Sequence, residues 1–410
     1  VPQIAKKQMS NPKNILFITW DGPQTSYMEG LFMPIFAEIQ KKSNYKFHVI
    51  QFTWGSNERI AITQEKAVAL DIIYNSYKIN RKPVATIGSL ITLYKGIKYL
   101  RKYIKKNSID IVMPRSTMPT IMVNRLKIQD LKILFDADGL AIEERVDFSG
   151  LTKTSKQYRF FSKEERKIVA EAQGVITRSQ KAIEYHLAKN SRLDATKFDV
   201  VFNGRNVSFF NFNPDSKVEI QKKLGFTDAN KVFVYCGSLG AQYCWDEMLA
   251  IFTDCYTKDA NFRFLILSGN PEFLDNKIPN ELQSKITVKK VPFEQVPQYL
   301  SVANFAFAIR EPKPSMQAIA PIKLGEYLLM GIPTIASMGI GDSEAILQDI
   351  PNCHLYNHSD IDKTKKAVTF VTQNKPVLKQ EIRNKALHYF SLEKSAESYI
   401  IALDKLYSKI

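Results

Sequence analysis

Short apolar runs alternate with helix-period stretches along the whole chain. Asn14-Ile15-Leu16-Phe17-Ile18-Thr19-Trp20 is a nearly continuous apolar run that stops at Asp21-Gly22. Residues 28–40 then carry helical spacing, and 46–52 form a second strand-like run. Residues 110–113, 132–135, 174–177 and 199–202 repeat the theme, each ending in polar or turn residues. Strands buried on both faces read this way, and the helices between them imply right-handed crossover units.

The second half repeats the pattern. Residues 231–236 form an apolar run ending in Gly237-Ser238-Leu239-Gly240, and 246–255 a helix. Residues 263–267 end in Ser268-Gly269-Asn270, 286–288 form a further strand, 293–301 a helix, and 305–309 a strand ending at Arg310. Residues 391–407 carry a terminal helical stripe of Leu392, Ala396, Tyr399, Ile400, Leu403 and Leu406. The pattern predicts an α/β chain of two Rossmann-like parallel-sheet domains facing a central cleft. The N-terminal domain spans 1–205 and the C-terminal domain 206–388. Residues 389–410 form a last helix packing back toward the N-terminal domain. Ligands of open α/β sheets bind beyond the strand C-termini.

The run from Pro321 to Ala336 reads as helix start, helix, stop and buried strand. Pro321 suits the first helical position, where a missing N–H costs nothing. Gly331 suits the left-handed residue that ends a helix. Lys323 and Glu326 are three apart and share a face near the helix N-terminus. Backbone donors, a cation and a carboxylate there suit a nucleotide diphosphate and its ribose.

Charge changes the picture in the first half. Residues 1–205 hold 34 Lys+Arg against 19 Asp+Glu, nearly all of the chain's net +16. Between Asp71 and Asp110 there is no acid, but nine bases. A helix over 86–106 would carry Ile87, Leu90, Ile91, Tyr94, Ile97 and Leu100 on one side. Lys95, Lys98, Arg101, Lys102, Lys105 and Lys106 lie beside them. Such a helix suits an acceptor face or an anionic membrane surface. It equally suits a crossover helix with a solvated basic face. Nucleic acid is not expected, because no binding module is recognisable.

The four Cys form no C-x-x-C pair, which suits reduced thiols and a cytoplasmic protein. The inner face of the cell membrane is then the docking surface if the basic helix is interfacial. No uncharged apolar run is long enough to span a bilayer, and residues 1–13 show no leader-like core. Asp136-Ala137-Asp138 after a strand invites a metal reading. A second α/β domain with its own nucleotide signature argues against it, and no metal or cofactor is expected.

Several segments together resemble the retaining GT-B glycosyltransferases, specifically family 4. Val201-Phe202-Asn203-Gly204-Arg205-Asn206 is similar to that family's inter-domain segment, and Tyr235–Gly240 to its Y-x-G-S-L-G loop. Pro321-x-Lys323-x-x-Glu326-Tyr327-Leu328-x-x-Gly331-x-Pro333 is similar to its nucleotide-binding run. Phe135-Asp136-Ala137-Asp138-Gly139-Leu140 with Glu143 resembles a first-domain segment of some members.

The resemblance implies transfer of a sugar from a nucleotide diphosphate-sugar, itself a substrate, to an acceptor hydroxyl, and the basic first domain suits a lipid-linked glycan as that acceptor. It assigns Glu326 to the ribose hydroxyls. Lys323, Arg310 and the amides near Ala320, Pro321 and Ile322 go to the diphosphate. Gly237, Ser238 and Gly240 go to the phosphates or sugar, and Val291 and Pro292 to the base. Gly22 would approach the leaving group from the first domain, and Asp136 and Glu143 the acceptor.

The sequence departs from that pattern in three places. Ala318 stands where many members have an acid, no base follows the glycine loop before Lys258, and Asp138 replaces an Arg. Two other readings stay open: an epimerase on the same architecture, and a non-catalytic membrane-docking or nucleotide-binding module.

Overall fold

The computed structural model describes residues 12–22, 27–373 and 378–408. The described residues fall into two compact units. The first runs to Arg178 and includes Ala182–Val201 and the chain from Ser395 onward. The second is Ser179–Lys181 with Phe202–Lys394. Residues 1–11, most of the expected leader-free segment, lie outside the described residues.

The first unit is built on seven parallel strands: β1 (Lys13–Asp21), β2 (Tyr45–Thr53), β3 (Ile73–Lys78), β4 (Ile111–Pro114), β5 (Lys132–Asp138), β6 (Gly174–Thr177) and β7 (Phe198–Val200). Their order is β3-β2-β1-β4-β5-β6-β7, with Phe17 opposite Val49 in the β1–β2 register. β3 is absent from the hydrophobic pattern because it is an edge strand, Ile-Tyr-Asn-Ser-Tyr-Lys, with Ile73 exposed. β5 carries a bulge between Asp136 and Asp138, and Asp138 has φ 59°. The residues expected as one helix over 28–40 instead make a π turn, Met28–Phe32, followed by Met33–Lys42.

The basic helix is Ala85–Lys106. Its packed face is Gly88, Thr92, Leu93, Gly96, Leu100 and Ile104. Small residues let it come close: a Cβ on Gly88 would lie 2.3 Å from the Asn80 carbonyl oxygen. Val84, Ile87, Leu90 and Tyr94 are exposed instead.

The second unit holds β8 (Lys231–Cys236), β9 (Phe262–Leu267), β10 (Ile286–Lys289), β11 (Phe305–Ala308), β12 (Thr334–Ser337) and β13 (Cys353–Tyr356). All are parallel, in the order β10-β9-β8-β11-β12-β13. Phe233 stacks on Phe307 at 4.8 Å in the middle of this sheet, and Phe264 packs edge-on at 5.3 Å from Phe307.

The helix after β11 is Ile322–Leu329. Pro321 is therefore its cap and not its first helical residue; its extended ψ of 114° places the turn one residue later. Gly331 has φ +68°, and a Cβ there would sit 2.4 Å from the Lys379 carbonyl oxygen. Only glycine meets both conditions.

Among the described residues no helix is long and apolar enough to cross a membrane.

Candidate functional site

In the second sheet the strand order reverses between β8 and β11, so the loops leaving those strands diverge around a crevice. Open parallel sheets take ligands there. The loop after β8, Gly237-Ser238-Leu239-Gly240, is shaped by its neighbours. The Tyr235 hydroxyl donates to the Ser238 carbonyl. Asn270, just past β9, accepts from the Leu239 N–H at 3.0 Å and donates to the Leu239 carbonyl at 3.0 Å.

Lys323, in the first turn of the Ile322–Leu329 helix, reaches under this loop. Its Nζ lies 3.9 Å from the Tyr235 ring centre and 4.5 Å from that of Tyr243. Gly237 has φ +142°, and a Cβ there would come within 2.9 Å of Nζ. The Nζ is buried and has no hydrogen-bond partner among the described residues. Burial, with the Arg310 charge adding to it, brings its pKa down to about 7. Two ring faces favour the charged form but supply no acceptor oxygen.

Arg310 follows β11. Its N–H donates to Ser337 Oγ at 2.9 Å and its Nη2 to Gln242 Oε1 at 2.8 Å. Its guanidinium lies 5.1 Å from the Tyr243 ring centre, so Tyr243 is shared by both cations. Its Nε is buried without a partner among the described residues.

Glu326 is buried and accepts from Arg205 Nη2 at 2.6 Å. The Arg205 guanidinium lies 5.9 Å from the Phe293 ring centre. That ring follows directly on Val291-Pro292, so the segment expected at the base is next to the expected ribose carboxylate. The Ala320 carbonyl accepts from Asn203 Nδ2 at 3.1 Å, which ties the approach to Pro321 and Ile322 to the Asn203-Gly204-Arg205 segment. The structure thus brings Gly237, Ser238, Lys323, Arg310, Glu326 and Ala320–Ile322 around one crevice. Gly240 lies at the outer end of the loop.

In the first unit the reversal falls between β1 and β4. Gly22, after β1, faces Trp54, and a Cβ there would approach its ring to 2.8 Å. Beyond β4, β5 and β6 four charges meet. Asp136 is fully buried and accepts from Arg178 Nη2 at 2.9 Å. Asp138 accepts from Arg115 Nη2 at 2.6 Å and donates its N–H to Asp136 Oδ1 at 3.0 Å. Burial lifts the Asp136 carboxyl despite Arg178. For Asp138 burial acts the same way, but the Arg115 and Arg178 charges outweigh it and the carboxyl titrates low.

Glu143 sits apart from that quartet. It accepts from the Tyr158 hydroxyl at 2.7 Å and Lys189 at 3.0 Å, and pairs with Lys153 at 3.2 Å. Burial alone would raise its pKa, but its hydroxyl and lysine donors bring it to about 2. Lys95, Lys98, Arg101, Lys102, Lys105 and Lys106 are exposed, with Arg101 Nε donating to the Leu126 carbonyl at 2.9 Å.

Sequence reasoning assigned no role to Arg205, Asn270, Tyr243 or Arg178. Arg205 stood in a recognised segment, but nothing in the spacing pairs it with a Glu 121 residues on. Asn270 was visible only as a strand end.

Taken together, the two parallel sheets and their order define the GT-B fold of glycosyltransferases. No protein-family model and no curated protein matches the sequence. Solved structures do. The chain is similar to a glycosyltransferase from Rickettsia africae at 17% identity and TM-score 0.71, over 98% of this chain and 100% of that one. It is similar to Anabaena HepE in complex with UDP at 13% identity and TM-score 0.70, over 95% and 99%. Sucrose-phosphate synthase from Thermosynechococcus elongatus matches at 14% and TM-score 0.69, over 96% and 99%.

Proposed function

We propose that this protein is a retaining glycosyltransferase. It moves a sugar from a nucleotide diphosphate-sugar to a hydroxyl of a lipid-linked glycan acceptor in polysaccharide or glycoconjugate synthesis. One observation carries the reading: the buried Lys323 Nζ, beneath a glycine loop at a sheet reversal, with no hydrogen-bond acceptor among the described residues. A diphosphate supplies acceptor oxygens, and the Ile322–Leu329 helix start adds backbone donors. HepE holds UDP or UDP-glucose in its structures, which supports a uridine donor here.

Each residue then has a part. Glu326, held by Arg205, accepts from the ribose hydroxyls, since a carboxylate offers two acceptor oxygens to a vicinal diol. Gly237 and Ser238 let the backbone approach the phosphates. As the sugar leaves, the transition state is oxocarbenium-like and negative charge grows on the diphosphate. Lys323 and Arg310 stabilise that charge where it develops. The acceptor hydroxyl attacks from the leaving-group side, and a donor phosphate oxygen takes its proton, so configuration is retained.

The first unit takes the acceptor. Asp136 and Glu143 brace the loops of that surface. The exposed apolar stripe Val84, Ile87, Leu90 and Tyr94, flanked by Lys95, Lys98 and Lys102, supports peripheral docking on an anionic membrane, where a lipid-linked acceptor resides.

Incubation with a panel of nucleotide sugars and lipid-linked acceptors tests the reading. The expected result is acceptor-dependent nucleotide release with retained anomeric configuration. Conversion of the donor to a new sugar without release would establish an epimerase instead. Donor binding without either reaction would leave a binding module.

A further inference from the structure

A second cluster of chemistry lies in the second unit, beside the Lys323 crevice, where Ser337 bonds both the Arg310 N–H and His358. Cys244 caps the Trp245–Lys258 helix in a left-handed conformation, φ 46° and ψ 53°. Glu247 is three residues on, in the first turn. His358 follows β13. One ligand atom from each of the three lies within 4.8 Å of the others, and no other such trio of His, Cys or carboxylate occurs among the described residues. They line a cavity of about 410 Å³ together with Asp246, Glu311 and Lys363.

The imidazole is held from both sides. Nε2 is 2.8 Å from Ser337 Oγ, and Nδ1 is 3.2 Å from Glu247 Oε1. This Ser-His-Glu line imitates a nucleophilic relay. Ser337 is 1% exposed, however, and its hydroxyl already accepts the Arg310 N–H, so no substrate carbonyl can reach it. Cys244, Glu247 and His358 are instead the members of the group that line the cavity. One thiol, one imidazole and one carboxylate is a zinc-type donor set, and the cavity leaves a fourth position for water or a ligand. Ser337 is the kind of partner that orients a metal-bound imidazole from its far nitrogen.

We propose that Cys244, Glu247 and His358 form a binding site for a divalent transition-metal ion of the zinc type. Ligands on a tetrahedral zinc stand about 3.3–3.8 Å apart, and His358 Nδ1 and Glu247 Oε1 already stand 3.2 Å from each other. Protons balance simply. Cys244 loses its thiol proton to solvent. The imidazole ligates through Nδ1 and keeps a proton on Nε2, donated to Ser337 Oγ. One proton leaves per ion bound. Lys363 Nζ lies 3.5 Å from Glu247 and competes for that carboxylate, so the affinity falls short of a closed cysteine-rich site. The site is independent of the donor reading, and its test needs no substrate.

The experiment uses the full chain, stripped with a chelator and titrated with Co²⁺ and Zn²⁺. One Co²⁺ is expected to bind with a near-ultraviolet thiolate-to-metal charge-transfer band, and one equivalent of Zn²⁺ to abolish it. Zn²⁺ should also slow alkylation of Cys244, read by peptide mass, by at least tenfold while leaving Cys236 and Cys353 unaffected. Cys244→Ser and Glu247→Gln should each remove the band. Circular dichroism shows whether each variant is folded, and the alkylation result on the unmodified chain stands if one is not. No charge-transfer band, a band that survives in folded Cys244→Ser, or unprotected Cys244 would each overturn the proposal.

Discussion

At the scale of single residues the decisive group is Lys323. Its ammonium is buried against two phenol rings, and the amine titrates near pH 7 in the free protein. A bound diphosphate restores the ordinary preference for the charged form. Above pH 7 donor binding must therefore take up a proton, and affinity falls by up to about tenfold per pH unit until the bound-state pKa is reached. Below pH 7 the lysine is already charged and this dependence vanishes. Calorimetry of UDP binding in buffers of different ionisation enthalpy should show uptake at pH 8 and little at pH 6. A flat profile in the native protein would remove Lys323 from the donor site. Lys323→Met should bind weakly without the slope.

Glu326 makes the complementary case. Truncation to Ala removes the carboxylate that pairs with the buried Arg205 guanidinium, which costs about 3–5 kcal/mol. Denaturant unfolding should show that loss together with impaired donor binding. Glu326→Gln should recover part of the stability but not the donor KM. The sequence placed Lys323 and Glu326 because they lie in one short helix with a recognisable start and stop. It could not show that Glu326 pairs with Arg205 or that Tyr243 serves two cations, because those contacts join segments far apart in the chain.

Among the elements, the central strands and the edge strands β7 and β10 were legible, while the edge strands β3 and β13 were not. Gly174–Thr177 and Lys231–Cys236 match the sequence reading to the residue, being apolar throughout and bounded by turns. Ile73–Lys78 and Cys353–Tyr356 lie at sheet edges, where one side is half-solvated and polar residues dilute the pattern. The Ala85–Lys106 helix was legible in extent, while its facing had to come from the structure. Gly88 and Gly96 pack inward, and Ile87, Leu90 and Tyr94 point out. An apolar stripe this exposed beside lysines is costly unless something covers it. Replacing Leu90 and Tyr94 by Ser should abolish sedimentation with phosphatidylglycerol vesicles. Turnover of a water-soluble acceptor should stay within about twofold. Unchanged sedimentation would leave the helix as a solvated crossover.

For the whole molecule the charge imbalance sets a long-range behaviour. Residues 1–205 carry 34 bases against 19 acids, while the rest of the chain is nearly balanced. Attraction to an anionic surface should therefore weaken with salt, since the screening length shrinks from about 10 Å at 0.1 M to 3 Å at 1 M. Raising salt over that range should release the protein from vesicles and leave donor affinity, which rests on buried groups, much less affected. Equal release of both would mean that the two properties share one surface.

The first compact unit is not one stretch of chain: its final segment is Ser395 onward. Ala396, Tyr399 and Leu403 of that segment are buried, and the Tyr45 hydroxyl donates to Asp404 at 2.7 Å. The Tyr399 ring lies 5.8 Å from Arg178, beside the buried acidic pair. A ribosome completes the leading lobe only after it has made the whole of the second unit. A polypeptide halted at Val201 would carry an uncovered greasy flank and a poorly shielded arginine. It should aggregate unless a peptide of residues 395–410 is supplied in trans.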